Sequence, residues 1–189
     1  NDEIKNFRHK IQLPVSQTKN SKRFLIGYFK PQSHEIVNIK HCEIQPVILD
    51  EIIEFIRINA KEIGINAYNE NTHKGLLRHI ILKVSKNDNQ ILLIFVLNSE
   101  KVDKKITELS QKIKEKYKNI VGVCANFNTQ KTNVILGKIT QTITGQSFYS
   151  EKLGNKTYQI SAQSFFQTNP SMAEKILDVI KNDINKNFD

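Results

Sequence analysis

Cysteine is nearly missing from this 189-residue chain, and the two present, Cys42 and Cys124, lie far apart. That excludes a disulfide framework as the source of stability, since an intracellular protein would keep both thiols reduced. Glycine is scarce too. Gly27, Gly64, Gly75, Gly122, Gly137, Gly145 and Gly154 are isolated from one another, and each reads as a turn or a bulge. No glycine-rich loop joins a strand to a helix, so a self-contained nucleotide enzyme is not expected. The five histidines (His9, His34, His41, His73, His79) show neither HExxH nor CxxC spacing, which speaks against a metal site built within the chain. A nucleophile elbow is absent as well. No run approaches eighteen apolar residues, and the start Asn1, Asp2, Glu3 is neither basic nor apolar; a cytoplasmic globular protein is the expectation.

Arginine is the last scarcity: only Arg8, Arg23, Arg57 and Arg78 among 28 basic residues. The formal net charge is nevertheless +9, with pI near 9.5. Counted along the sequence, residues 1–45 carry 8 basic against 4 acidic groups, 46–110 carry 9 against 9, and 111–189 carry 11 against 6. Basic ends suit a polyanion, because lysines that neutralise phosphates release condensed counterions. An AT-rich coding sequence also enriches Lys, Asn and Ile without any selection for binding. On charge alone both readings stand.

What remains is a well-patterned chain, 39% hydrophobic and long enough for one domain or one and a fraction. Residues 7–15, 23–30 and 35–39 read as strands of a meander. From Pro46 the period changes: Leu49, Ile52, Ile53, Ile56, Ala60 and Ile63 recur at helical spacing, closed by Gly64. Residues 76–84 and 90–97 form an expected hairpin, its second run apolar on both faces and therefore central. Ile106, Leu109, Ile113 and Tyr117 mark a second helix whose lysine-rich other face reads as solvated surface or as an RNA site. Residues 120–127, 134–142 and 158–161 supply further strands. A last helix starts at Asn169-Pro170, a cap followed by proline, and runs to about residue 184. Counted from Glu35, the order strand, helix, strand, strand, helix, strand is ferredoxin-like. The fold expected is α+β: a mostly antiparallel sheet with two to three packed helices.

Five blocks, in order, carry a resemblance: residues 7–10 (FRHK), 36–39 leading into 41–45 (IVNI, HCEIQ), 74–79 (KGLLRH), 131–137 (KTNVILG) and 161–170 (SAQSFFQTNP). Together they resemble the RNA (uracil-5-)-methyltransferase family that modifies ribosomal and transfer RNA. The resemblance implies an N-terminal OB-like domain, a central domain and a C-terminal Rossmann-like catalytic domain. Residues 1–150 would be the central RNA-binding domain and 151–189 the start of the S-adenosylmethionine-dependent methyltransferase domain, with its remainder, including nucleophilic cysteine, general base and glycine-containing cofactor motif, beyond residue 189. No catalytic residue is then expected here, and this stretch alone would be inactive.

The family's chemistry adds a cysteine thiolate to C6 of a flipped-out uracil, which makes C5 a competent nucleophile toward the methyl donor. The substrate expected is a uridine of 23S ribosomal RNA rather than of transfer RNA. The alternative is a stand-alone basic RNA-binding module without catalysis, and a third reading is an interaction domain whose basic surface is genomic bias. Residue by residue, Phe165 matches a position that contacts the flipped base and Gln167 one that contacts the cofactor. Arg8 and Lys10 match a strand facing RNA. Arg78 and His79 also match, with roles in RNA binding or in the fold left open. Cys42 resembles the fourth ligand of an iron–sulfur cluster that some members hold with three upstream cysteines, and is a metal ligand only if the full-length protein carries that cluster. Cys124 does not match the nucleophile and reads as a core residue.

Overall fold

A strand that is apolar at every position needs cover on both faces and partners on both edges. The run at Ile91–Leu97 is such a strand: all seven residues are buried. Ile91, Leu93, Phe95 and Leu97 enter one apolar cluster, while Leu92, Ile94 and Val96 enter another. The computed structural model, which describes residues 4–188, builds the rest of the molecule around it. Asn1, Asp2, Glu3 and Asp189, on which the reading of the chain ends rested, lie outside the described residues.

In chain order the elements are β1 (Lys10–Gln17), β2 (Phe24–Phe29), β3 (Ile36–Asn38), α1 (Val47–Glu62), β4 (Leu77–Val84), β5 (Ile91–Leu97), α2 (Lys104–Lys116), β6 (Ile120–Phe127), β7 (Ile139–Gly145), β8 (Phe148–Leu153), β9 (Lys156–Ser161) and α3 (Pro170–Phe188). The first seven strands form one sheet, ordered β3-β2-β1-β4-β5-β6-β7. Every pairing in it is antiparallel except β5 with β6. There α2 serves as the crossover that a parallel pair requires.

One face of the sheet is covered by the apolar stripes of α1 (Leu49, Ile52, Ile53, Ile56, Ala60) and α2 (Ile106, Leu109, Ile113). At roughly 1.5–3 kcal/mol for each buried aliphatic side chain, this layer is the main stabilising term. The opposite face carries a smaller cluster in which Tyr149 and Ile160 of the β8–β9 hairpin meet Ile81, Leu92, Ile94, Val96 and Cys124. Asp103 caps α2 by accepting from the Lys105 amide at 2.8 Å. Asn169 caps α3 through Met172 N–H at 3.0 Å, with Pro170 at the first helical position as the sequence implies.

The mostly antiparallel sheet, the three helices and the opening meander agree with the sequence reading. Three details do not. The ferredoxin-like order holds along the chain but not in space, for β3 sits at the sheet edge beside β2 and not among the later strands. At three residues, with Val37 45% exposed, β3 cannot fill a central position, and the edges of β4 and β5 are taken by β1 and β6. The strand expected from residue 134 starts only at Ile139, because the Val134 and Ile135 carbonyls accept from the Asn128 side chain (2.7 and 3.0 Å) instead of joining a ladder. A strand, β8, appears where none was expected.

Candidate nucleic-acid interface

Alternation along β1 sends Ile11, Leu13 and Val15 into the helix-covered core and sets Lys10, Gln12 and Ser16 toward the other face. Lys10 lies directly across from Lys83 of β4, so two ammonium groups share one face at cross-strand distance. Lys83 is only 2% exposed. Burial, and then Lys10, pull its pKa from 10.5 down to about 8, against a smaller opposing effect of Cys124. Burial and then Arg8 lower Lys10 as well.

What holds a lysine there is a set of carbonyls. Lys83 Nζ donates to Ser161 O at 2.7 Å and to Ser164 O at 2.9 Å. The two serine hydroxyls bond each other at 2.8 Å, and His9 N–H donates to Thr168 O at 2.7 Å. The irregular segment 161–168 is thereby tied to β4 at one end and to β1 at the other. Phe166 packs inward, its ring 6.3 Å from that of Tyr158. Its neighbours Phe165, 78% exposed, and Gln167 are outside. This exposed, half-buried, exposed pattern is the extended-chain alternation expected of the segment. Gln167 makes no side-chain hydrogen bond among the described residues, and its free amide fits a polar partner.

The Lys83 anchor makes a testable statement. Replacing Lys83 by methionine should speed amide hydrogen exchange across 161–168 while leaving exchange in β5 unchanged. The pH dependence has a definite sign. Between about pH 8 and 10.5 the unfolded chain keeps a proton that folded Lys83 has released, so this group makes stability rise with pH through that window. Paired thermal melts should show wild type gaining on Lys83→Met from pH 8 to 10.5; parallel curves would refute the buried ammonium.

Arg8 begins the same strand region. It is half-buried, donates from Nε to Lys10 O at 3.2 Å and from its amide to Ile44 O at 2.7 Å. The segment 42–45 therefore runs beside it. Cys42 is half-exposed there, its amide donating to Asp50 Oδ2 at 3.4 Å, the same oxygen that His41 Nδ1 meets at 2.8 Å. Among the described residues no group of three or more His, Cys, Asp or Glu could hold a metal. Cys124 is buried in the other cluster, with burial pushing its thiol pKa up, as expected of a core residue. One thiol does not fit an iron–sulfur cluster, which takes four protein ligands.

The structure thus brings Lys10, Phe165 and Gln167 to one neighbourhood, with Arg8 at its border and Cys42 in the adjoining segment. It also separates Arg78 from them. Arg78 is 5% exposed and donates to the carbonyls of Asn128, Gln130 and Thr132 (2.7, 2.8 and 3.4 Å), its guanidinium 4.4 Å above the Tyr68 ring. It serves the fold. Two glycines of the resembling blocks are close-approach positions: a Cβ on Gly75 would meet Ala67 O at 2.0 Å, and one on Gly137 would meet Phe127 O at 1.8 Å. Lys83, Asn126 and Asn128 were missed in the sequence. Their signal is a polar residue inside an otherwise apolar strand or at its end.

No protein-family model matches the chain. Among curated proteins it is 40% identical over 170 residues to an uncharacterized RNA methyltransferase of Clostridium acetobutylicum, covering 90% of this chain and 36% of that protein. It is 34% identical over 178 residues to another from Oceanobacillus iheyensis, covering 94% and 38%. The chain thus spans somewhat over a third of the length of the relatives it matches. Its fold is similar to part of the Pyrococcus abyssi tRNA (uracil-54, C5)-methyltransferase, solved with S-adenosyl-L-homocysteine, with TM-score 0.78 and 24% identity over 95% of this chain and 42% of that one. The resemblance drawn from the five sequence blocks thus holds as similarity, over nine-tenths of this chain, to proteins named RNA methyltransferases, with a fold shared with part of the solved tRNA (uracil-54, C5)-methyltransferase.

Proposed function

We propose that this chain is the RNA-facing part of a cytoplasmic, S-adenosylmethionine-dependent enzyme that methylates C5 of a uridine, with residues 1–150 as an RNA-binding domain and 151–189 as the start of the Rossmann-like catalytic domain. The observation that carries the reading is the segment 161–168, clamped by Lys83 and His9 so that Phe165 and Gln167 stand in solvent near Lys10. An aromatic face held out of the core at 78% exposure has no packing role to explain it. It supplies a stacking surface for a splayed base, while Lys10 and Arg8 supply cations for phosphate. Gln167 would bond the polar edge of the cofactor, whose contribution is an activated methyl group. An iron–sulfur cluster would belong to the full-length protein only, with Cys42 as one of its four ligands and the other three supplied from outside residues 1–189.

A stand-alone RNA-binding module would use Lys10 and Phe165 equally well but has no use for Gln167. In the full-length protein, Phe165→Ala should weaken binding of a uridine-containing RNA, or the single-turnover rate, by roughly 1–3 kcal/mol. Melting temperature should be unchanged, since the ring is outside the core. Gln167→Ala should weaken S-adenosylmethionine binding and leave RNA affinity intact. A 23S ribosomal fragment is the first substrate to try and a transfer RNA the second. A Phe165→Ala protein that is destabilised yet turns over normally when folded would reject the assignment.

A further inference from the structure

At the other end of β1 lies a cavity of about 570 Å3 between β1, the β2 end and the loop that returns to β4. Pro14, Ser16 and His79 line it. Pro14 and His79 are cross-strand partners, and alternation puts these positions on the same face as Lys10 and Lys83. Four residues along a strand cover roughly 13 Å at about 3.3 Å each, so one short track joins Lys10 to this cavity. Its size falls within the range of about 300–1,000 Å3 typical of small-molecule sites.

The wall has two kinds of chemistry. Lys19, Lys22 and Lys74 line it, all three exposed and none with an ion pair among the described residues. The one carboxylate present, Glu70, is occupied by His34 at 2.6 Å. Lys22 stands at φ +52°, a left-handed conformation that costs a non-glycine residue energy. It is kept there by the turn in which Thr18 N–H donates to Arg23 O at 3.0 Å and Arg23 N–H to Thr18 Oγ1 at 3.1 Å. The second kind is aromatic and polar. Phe29, 5.3 Å from the His34 ring, is partly exposed, and His79, 8% exposed, has a buried Nδ1 with no hydrogen-bond partner. A buried polar atom left unmatched calls for an explanation, and the residue that carries it lines this cavity.

We propose that this cavity binds a second nucleotide of the RNA, flanking the target, with its phosphate on Lys19, Lys22 and Lys74 and its base against Phe29 and the polar wall containing His79. The idea rests on the RNA reading above but concerns residues outside the Phe165 neighbourhood. His79 suits a base edge more than a phosphate, since burial keeps its imidazole neutral down to about pH 4, with one donor and one acceptor nitrogen.

Uridine 5′-monophosphate titrated into isotope-labelled chain should shift amide signals of residues 17–22 and 69–75. The double variant Lys22→Ala, Lys74→Ala should bind at least tenfold more weakly while melting like wild type, because both side chains are exposed. Phe165→Ala should leave this titration unchanged. Inorganic phosphate producing the same shifts with equal affinity would overturn the nucleotide site in favour of a plain anion site. Shifts confined to 161–168, or none in the cavity wall, would also overturn it and leave the Phe165 reading intact. Cavity binding in a chain that fails to bind RNA would uphold the site and count against the function proposed above.

Discussion

Arg78→Met is expected to destabilise the fold by roughly 3–5 kcal/mol. The arithmetic follows from what the guanidinium does: it satisfies the carbonyls of Asn128, Gln130 and Thr132 at once while covering the Tyr68 ring. Methionine replaces much of the stem volume but donates nothing. Each carbonyl left without a donor costs about 1–3 kcal/mol if it stays buried, and water relieves the outermost. Arg78→Lys should recover little, since one ammonium on a flexible stem cannot reproduce a planar fork directed at three acceptors. Urea titrations of the three proteins check both statements. A midpoint for Arg78→Met matching wild type would mean that the 128–132 loop is held by Asn126 and Asn128 without help.

The contrast between Arg78 and Phe165 explains which parts of the molecule sequence makes legible. Periodicity located α1, α2 and β5 because burial there follows apolar character: Leu49, Ile52 and Ile56 on one stripe, Leu92 and Leu93 on opposite faces. β8 escaped because its inward side includes Glu151, fully buried, where it accepts from Lys86 N–H (3.0 Å) and the Asn87 side chain (2.9 Å). A carboxylate satisfied by a turn sixty residues away looks like a surface residue in sequence. The same inversion hides Lys83. β4 reads LRHIILKV, three cationic or titratable residues in eight, yet all eight positions are buried.

For the candidate site the situation differs again. Cap chemistry at Asn169-Pro170 fixed where α3 begins, and family resemblance singled out Phe165 and Gln167. Neither revealed the clamp that presents them, since a lysine donating to two backbone carbonyls leaves no trace in the identities of the residues that accept. Ser161 and Ser164 are visible in the sequence, but their carbonyls would be the same for any residue. The spatial order of the sheet was hidden for a related reason: the meander could have joined either edge of the β4–β5 hairpin, and β5 was claimed by β6 through a parallel crossover.

Acid should weaken this protein well before its carboxylates are exhausted, and His79 is the cause we expect. Burial first, and the neighbouring Arg78 charge second, bring its pKa from 6.5 to about 4. In that interval the unfolded chain binds a proton that the folded chain refuses, so stability is full above pH 6.5 and falls as pH drops toward 4. Each tenfold change in proton affinity is worth about 1.4 kcal/mol, which makes the loss about 3 kcal/mol over the whole window. His79→Gln keeps a polar side chain of similar reach without the titration. Urea unfolding at pH 7 and at pH 4.5 should show wild type losing about 2–3 kcal/mol more than the variant between the two conditions. Equal losses in the two proteins would show that His79 is hydrated or paired in solution, and would remove the neutral imidazole from the wall of the cavity beside β1 as well.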